Sequence, residues 1–120
     1  MKSIYFTITG TNHYYGTDFA EHGMVVKLIK ERDNEYDKEA IRVETDGLGK
    51  IGYVANSYRT IIGESYSAGR IYDKIGDTAI GKVLYTLPNG ILCEIESNSL
   101  LENEIDLDAI IAAVRSALNV

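Results

Sequence analysis

Between residues 3 and 97 apolar and polar positions alternate in short runs with the two-residue period of a half-buried β-strand. Ser3–Thr9 sets Ile4, Phe6 and Ile8 on one face. Met24–Glu31 is apolar and β-branched, and Ala40–Thr45 turns Ile41 and Val43 inward and Arg42 and Glu44 outward. Lys50–Ala55 makes a fourth strand. Thr78–Leu87 and Ile91–Ser97 form a hairpin through Pro88-Asn89-Gly90, because Asn-Gly between two apolar runs is a strong hairpin signal. Asp33-Asn34-Glu35 and Asp46-Gly47-Leu48-Gly49 carry turn residues. Asn56 or Ser57 can cap a short helix running from about Tyr58 into the sixties, with a break at Ser67-Ala68-Gly69. Arg70–Gly76 is compatible with a second helical turn. The sum is a mostly β domain of six strands and one or two short helices.

The period changes after a polar connector at residues 99–104. Leu107, Ile110, Ile111, Val114 and Leu118 fall on one stripe of an amphipathic helix, with Asp106 as its expected N-cap. The chain therefore divides into a β domain over residues 1–97 and an acidic linker with a C-terminal helix over residues 98–120. The stripe needs a partner surface, either the β domain itself or another chain.

The length of 120 residues suits one core, and 45% hydrophobic with 25% charged residues is ordinary globular composition. No apolar run reaches the ~18–20 residues of a membrane helix. The first residues alternate instead of forming a continuous apolar signal, so a cytosolic protein is expected. The single cysteine, Cys93, cannot form an internal disulfide. It lies in phase with Ile91 and Ile95 and is expected to be a packed, inert thiol. The net charge is −6. Residues 1–97 hold 11 Lys and Arg against 14 Asp and Glu, and residues 98–120 hold 1 against 4, so each part contributes −3. The β domain is thus not basic, and any nucleic-acid binding must come from a local pocket and not from a broad field.

Catalytic sets are missing from the sequence. His13, His22 and Cys93 do not have zinc-site spacing. Neither a Walker A sequence nor a Gly-x-Ser-x-Gly elbow occurs. Asp18, Glu21 and His22 stand close together but read as a solvated loop. No enzyme activity, cofactor or metal is therefore expected.

Two segments carry chemistry. Asn12-His13-Tyr14-Tyr15-Gly16 sets two tyrosines beside a histidine in the loop after the first strand, and tyrosine offers a flat apolar face with a polar tip. Arg32 to Val43 is a highly polar turn with one aromatic, Tyr36, between two strands. The pattern Gly-x-x-x-Tyr-Tyr (Gly10 to Tyr15), then Asn-x-Tyr-Asp-Lys-x-Ala-Ile-Arg-Val (Asn34 to Val43), then Gly-x-Ile-Gly-Tyr-Val (Gly49 to Val54), resembles the HIRAN domain over roughly residues 3–97. HIRAN domains occur in SNF2-type remodelling ATPases and in small stand-alone bacterial proteins, which this chain resembles more.

The resemblance implies an OB-like barrel of about six strands and a pocket for the 3′ end of single-stranded DNA. It makes Tyr14 and Tyr36 the stacking residues, Asp37 the acceptor of the 3′-hydroxyl, and Asn34 a residue that shapes the pocket. His13, Tyr15 and Tyr53 border it. His13 stands where DNA-binding members carry a basic residue. Tyr53 replaces a histidine, and Ala55-Asn56-Ser57 replaces a lysine-rich stretch. The edge that would grip phosphates is therefore depleted, leaving Lys38, Arg59 and Arg32 as candidates. Stacking is worth ~1–3 kcal/mol per base and tolerates any sequence. The leading expectation is a non-catalytic module that binds the end of single-stranded DNA, as a unit of DNA repair or processing. The alternative is a protein-interaction or dimerisation module on the same scaffold that has lost DNA binding, working through residues 106–118. RNA ends and small nucleotides fit the same stacking chemistry.

Overall fold

The computed structural model describes residues 3–101 and 107–118. Six strands form a closed antiparallel barrel: β1 (Tyr5–Thr9), β2 (Val25–Lys30), β3 (Ile41–Thr45), β4 (Gly49–Val54), β5 (Thr78–Leu87) and β6 (Gly90–Ile95). Around the barrel their order is β1-β4-β3-β2-β5-β6. Period-two alternation drives this arrangement. Ile4, Phe6, Ile8, Val26, Leu28, Ile41, Val43, Val83, Ile91, Cys93 and Ile95 are all buried in one core, while Tyr5, Lys27, Arg42, Leu92 and Glu94 between them are partly or fully exposed. Burial pushes the Cys93 thiol pKa upward, which makes it the inert packed group the alternation implies.

The β5–β6 hairpin forms, one residue out of the expected phase. Leu87 pairs with Gly90, so Pro88 and Asn89 make the turn and Gly90 starts β6. Gly90 lies against β1, where a Cβ would come within 2.9 Å of the Ile8 carbonyl oxygen. Close packing selects this glycine, and no residue other than glycine takes a positive φ among the described residues.

The seam beside β1 is built differently from the rest. Only Ile8 and Thr9 pair with β4, opposite Val54 and Tyr53. The remaining edge of β1 is covered by residues 55–66. The N–H of Ala55 donates to the Thr7 carbonyl (2.8 Å) and that of Tyr66 to the Tyr5 carbonyl (2.7 Å). The Thr7 hydroxyl accepts the N–H of Ile62 at 3.0 Å and meets the Ser65 hydroxyl at 2.8 Å. These bonds explain why the helix expected from Tyr58 is absent. Ser57 begins one turn, its carbonyl accepting from Thr60 and Ile61. Ile62 then bonds to Thr7 instead of continuing the helix, and Gly63, at φ +57°, turns the chain away. The helix α1 (Ala68–Tyr72) forms instead where a break was expected. Ser67 is its N-cap, accepting the N–H of Arg70 at 3.2 Å, and Ala68 and Ile71 enter the core.

The C-terminal helix α2 spans Leu107–Leu118; its expected cap, Asp106, lies outside the described residues. Of the expected stripe, the described side chains Ile110, Ile111, Val114 and Leu118 are all about half exposed or more.

Candidate nucleic-acid interface

Both sequence segments singled out above are held at the outer ends of β1–β4. Gly10 to Gly16 is a tight loop over β4. Thr11 is buried in it, and its carbonyl accepts the N–H of both Tyr14 and Gly16 at 2.9 Å. Tyr14 and Tyr15 remain 39% and 53% exposed, and His13 is also on the surface.

The second loop runs from Glu31 to Ala40, the two residues where β2 and β3 stop diverging: the N–H of Glu31 donates to the Ala40 carbonyl at 2.9 Å. Asn34 organises its tip. The Asn34 Oδ1 accepts the backbone N–H of Tyr36 and of Asp37, each at 2.9 Å, which is the local bonding that lets Asn replace a backbone turn. The Tyr36 side chain projects to 97% exposure. Asp37 Oδ1 accepts the N–H of Glu39 at 2.9 Å, and Oδ2 accepts Nδ2 of Asn56 at 3.1 Å. Each oxygen keeps a further lone pair.

Glu31 links the two loops. Its side chain is only 12% exposed. It accepts Nδ2 of Asn34 at 3.0 Å and the Tyr53 hydroxyl at 2.9 Å. It also faces Lys50 Nζ at 3.5 Å and Arg42 Nη1 at 3.7 Å. Lys50 in turn stands over the Tyr53 ring at 4.5 Å and the Tyr14 ring at 5.5 Å from the centroids. A continuous series of contacts therefore runs Tyr14, Lys50, Glu31, Asn34, then Tyr36 and Asp37.

Charge and burial oppose each other here. Burial alone would raise the Glu31 carboxyl, but hydrogen bonds from Asn34 and Tyr53 and the charge of Lys50 outweigh it and hold the group below its ordinary value of 4.5. Burial raises the Tyr53 phenol, helped by Glu31 and opposed by Lys50, so Tyr53 stays a hydrogen-bond donor. Contact with Tyr53, working against burial and joined by Tyr14 and Glu31, pushes the Lys50 ammonium up. The centre is thus ionised, paired and near neutral overall.

The candidates taken from sequence do not all meet. Tyr14, Tyr53, Asn34, Tyr36 and Asp37 belong to the connected surface. Arg32 does not serve it, since its guanidinium is paired with Asp77. Lys38 is an exposed side chain, and Arg59 lies beside Tyr58, its Nε donating to the Tyr58 hydroxyl at 3.4 Å. The residues not found from sequence are Glu31, Lys50, Arg42 and Asn56. Lys50 was hidden by a register shift. Val43 pairs with Gly52 but Glu44 with Lys50, so Ile51 is an extra residue in β4. This bulge brings Lys50 and Tyr53, three positions apart, to the same outer face, which strict alternation would forbid. A cleft of about 600 Å³ (lined by Lys82, Glu94, Glu96 and neighbours) shares no residue with this surface, and one of about 300 Å³ (lined by Val25, Lys27, Glu44 and neighbours) touches it only through Glu44, which accepts from Arg42 Nε at 2.9 Å.

The model of the HIRAN domain family matches residues 1–80. Among solved structures, the HIRAN domain of human HLTF is similar, with a TM-score of 0.57 at 18% identity, over 78% of this chain and 72% of that one. At that identity the likeness is one of fold. No curated protein matches the chain.

The depressed Glu31 pKa has a sign that can be tested. A carboxyl whose folded pKa lies below its unfolded one contributes stability that is present above the unfolded value and lost as pH falls through the folded one. Wild-type stability should therefore fall as pH drops below about 4.5. In Glu31→Gln it should be lower at pH 7 by about 1–3 kcal/mol, and less of it should remain to be lost in acid. Urea unfolding at pH 7 and through pH 5 to 3 measures both, and equal stability with parallel acid profiles contradicts the role given to Glu31.

Proposed function

The chain belongs to the HIRAN domain family, and from that membership we propose that it is a non-catalytic nucleic-acid-binding module that takes the 3′ end of a single DNA strand at Tyr14, Tyr36 and Asp37. The observation carrying this reading is the contact series through Glu31 and Lys50, which ties the two tyrosine loops into one surface while Tyr36 stays 97% exposed. Tyr36 offers a whole ring face to a terminal base. Asp37, with lone pairs left on both oxygens, accepts a free hydroxyl and repels a terminal phosphate, so end selectivity comes from repulsion as much as attraction. Tyr14 presents the second aromatic surface, and Lys50 beneath it holds that ring in place. Tyr15, His13, Lys38 and Tyr53 border the surface.

The electrostatics set the strength. Lys50 and Arg42 already face Glu31, and the chain carries −6 overall. Few cations are left for phosphates, so binding should be weak and its salt dependence shallow. Fluorescence anisotropy with short single-stranded DNAs tests this. A free 3′-hydroxyl should be preferred over a 3′-phosphate. Tyr36→Ala should weaken binding at least about fivefold, and Asp37→Asn should erode the preference. Absence of binding to every oligonucleotide at low salt contradicts the proposal.

A second reading, compatible with the first, rests on α2. A helix with Ile110, Ile111, Val114 and Leu118 exposed along one stripe leaves apolar surface in water. We assign this face to self-association with a second copy of the chain, which would set two barrels on one assembly. Size measurement across concentration should show a species larger than the monomer, reverting to monomer in Val114→Glu. A wild-type monomer at all concentrations excludes it.

A further inference from the structure

The surface proposed for the strand end does not stop at Asp37. Asn56 extends it: Nδ2 donates to Asp37 Oδ2 at 3.1 Å while Oδ1 accepts the N–H of Gly69 at 2.9 Å. Beside it, the N–H of Ala68 donates to the Ala55 carbonyl at 2.9 Å. The start of α1 therefore lies directly against the Asp37–Ala40 turn. The end of the Glu39 side chain lies beside Gly69, 2.8 Å from where a Cβ would stand.

Two exposed arginines lie close in sequence to Asn56 and Gly69, each beside a tyrosine. Arg70 is the residue after Gly69, and its guanidinium lies 3.8 Å from the centroid of the Tyr66 ring. Arg59, three residues after Asn56, stands 5.8 Å from the Tyr58 ring and donates to the Tyr58 hydroxyl at 3.4 Å. Tyr58 is 82% exposed. Of the arginines, Arg32 and Arg42 are in ion pairs among the described residues, and neither Arg59 nor Arg70 is. Their charge is not spent on a carboxylate, unlike that of the cations in the centre. A guanidinium held by an aromatic keeps its N–H edge for bidentate contact with a phosphate and its outer face for a base. Residues 55–66 are pinned to β1, so this platform is preorganised.

We propose that Tyr66–Arg70 and Tyr58–Arg59 form a second subsite that receives the backbone phosphates and bases of the nucleotides preceding the terminal one. It rests on the end-pocket reading and supplies the positive charge which that pocket lacks. The strand would run from Tyr36 and Asp37 across Asn56 to the start of α1.

The test uses the full chain and a six-nucleotide oligothymidine with a free 3′-hydroxyl, with affinity read by anisotropy across a salt series. Arg70→Ala and Arg59→Ala should each lower the slope of log affinity on log salt by about 0.7 and weaken binding about five- to tenfold at low salt. Arg70→Lys should restore the slope, which a purely structural role would not do. The preference for 3′-hydroxyl over 3′-phosphate should be the same in all of them. Both alanine variants binding with wild-type affinity and slope overturns the subsite and leaves the end pocket standing. Loss at Arg70→Ala with Tyr36→Ala unaffected rejects the end pocket and with it the subsite as the continuation of a bound strand end. A wild-type chain that does not bind the oligonucleotide overturns both.

Discussion

A single carboxylate at the end of β2 holds the candidate site together. Glu31 is largely withdrawn from water, and a charge so placed is tolerable only when hydrogen bonds and counter-charges replace the lost solvation. Those partners come from three stretches of chain: Asn34 from its own loop, Arg42 from β3, and Lys50 and Tyr53 from β4. Satisfying Glu31 fixes where each of them stands. It thereby fixes the loop that carries Tyr36 and Asp37 and, through Lys50, the ring of Tyr14. The exposed aromatics can be open to a ligand because their support is not.

The barrel contributes two irregularities that make this possible. An ideal β4 would send Lys50 and Tyr53 to opposite faces, and the extra residue at Ile51 cancels that alternation. A β1 fully paired with β4 would leave no place for residues 55–66. Because the pairing stops after two residues, that segment takes over the free edge and carries Asn56 and α1 to the border of the site. The regular strands build the core, and the departures from regularity build the surface.

This division matches what could be read from sequence. β1 and β3 follow from alternation, β2 from its apolar β-branched run and the β5–β6 pair from the Asn-Gly hairpin signal, and the burial of Phe6, Val43 and Cys93 was legible from their phase. Tyr14 stood out as one of two adjacent tyrosines beside a histidine in a loop, whereas Asn34, Tyr36 and Asp37 were singled out through the resemblance of their segment to the HIRAN domain. Lys50 did not, since a bulge leaves no mark in the alternation around it. Glu31 looked like the polar end of a strand, and nothing local reveals that two loops will close over it. The helix at Tyr58 failed because Ser57 does start a turn, but Ile62 finds a better partner in Thr7, 55 positions away. Ser67 resembled a breaker, and serine serves equally as a breaker and as a cap.

The central claim is one of place: a strand end binds where the two tyrosine loops meet. Two-dimensional amide NMR of the full chain, titrated with a short single-stranded DNA bearing a free 3′-hydroxyl, examines it directly. The account predicts that the resonances that move most belong to residues 12–16, 34–39 and 50–53, with the cleft lined by Lys82, Glu94 and Glu96 unaffected. Perturbations confined to residues 80–98, or none at all at saturating oligonucleotide, would contradict it.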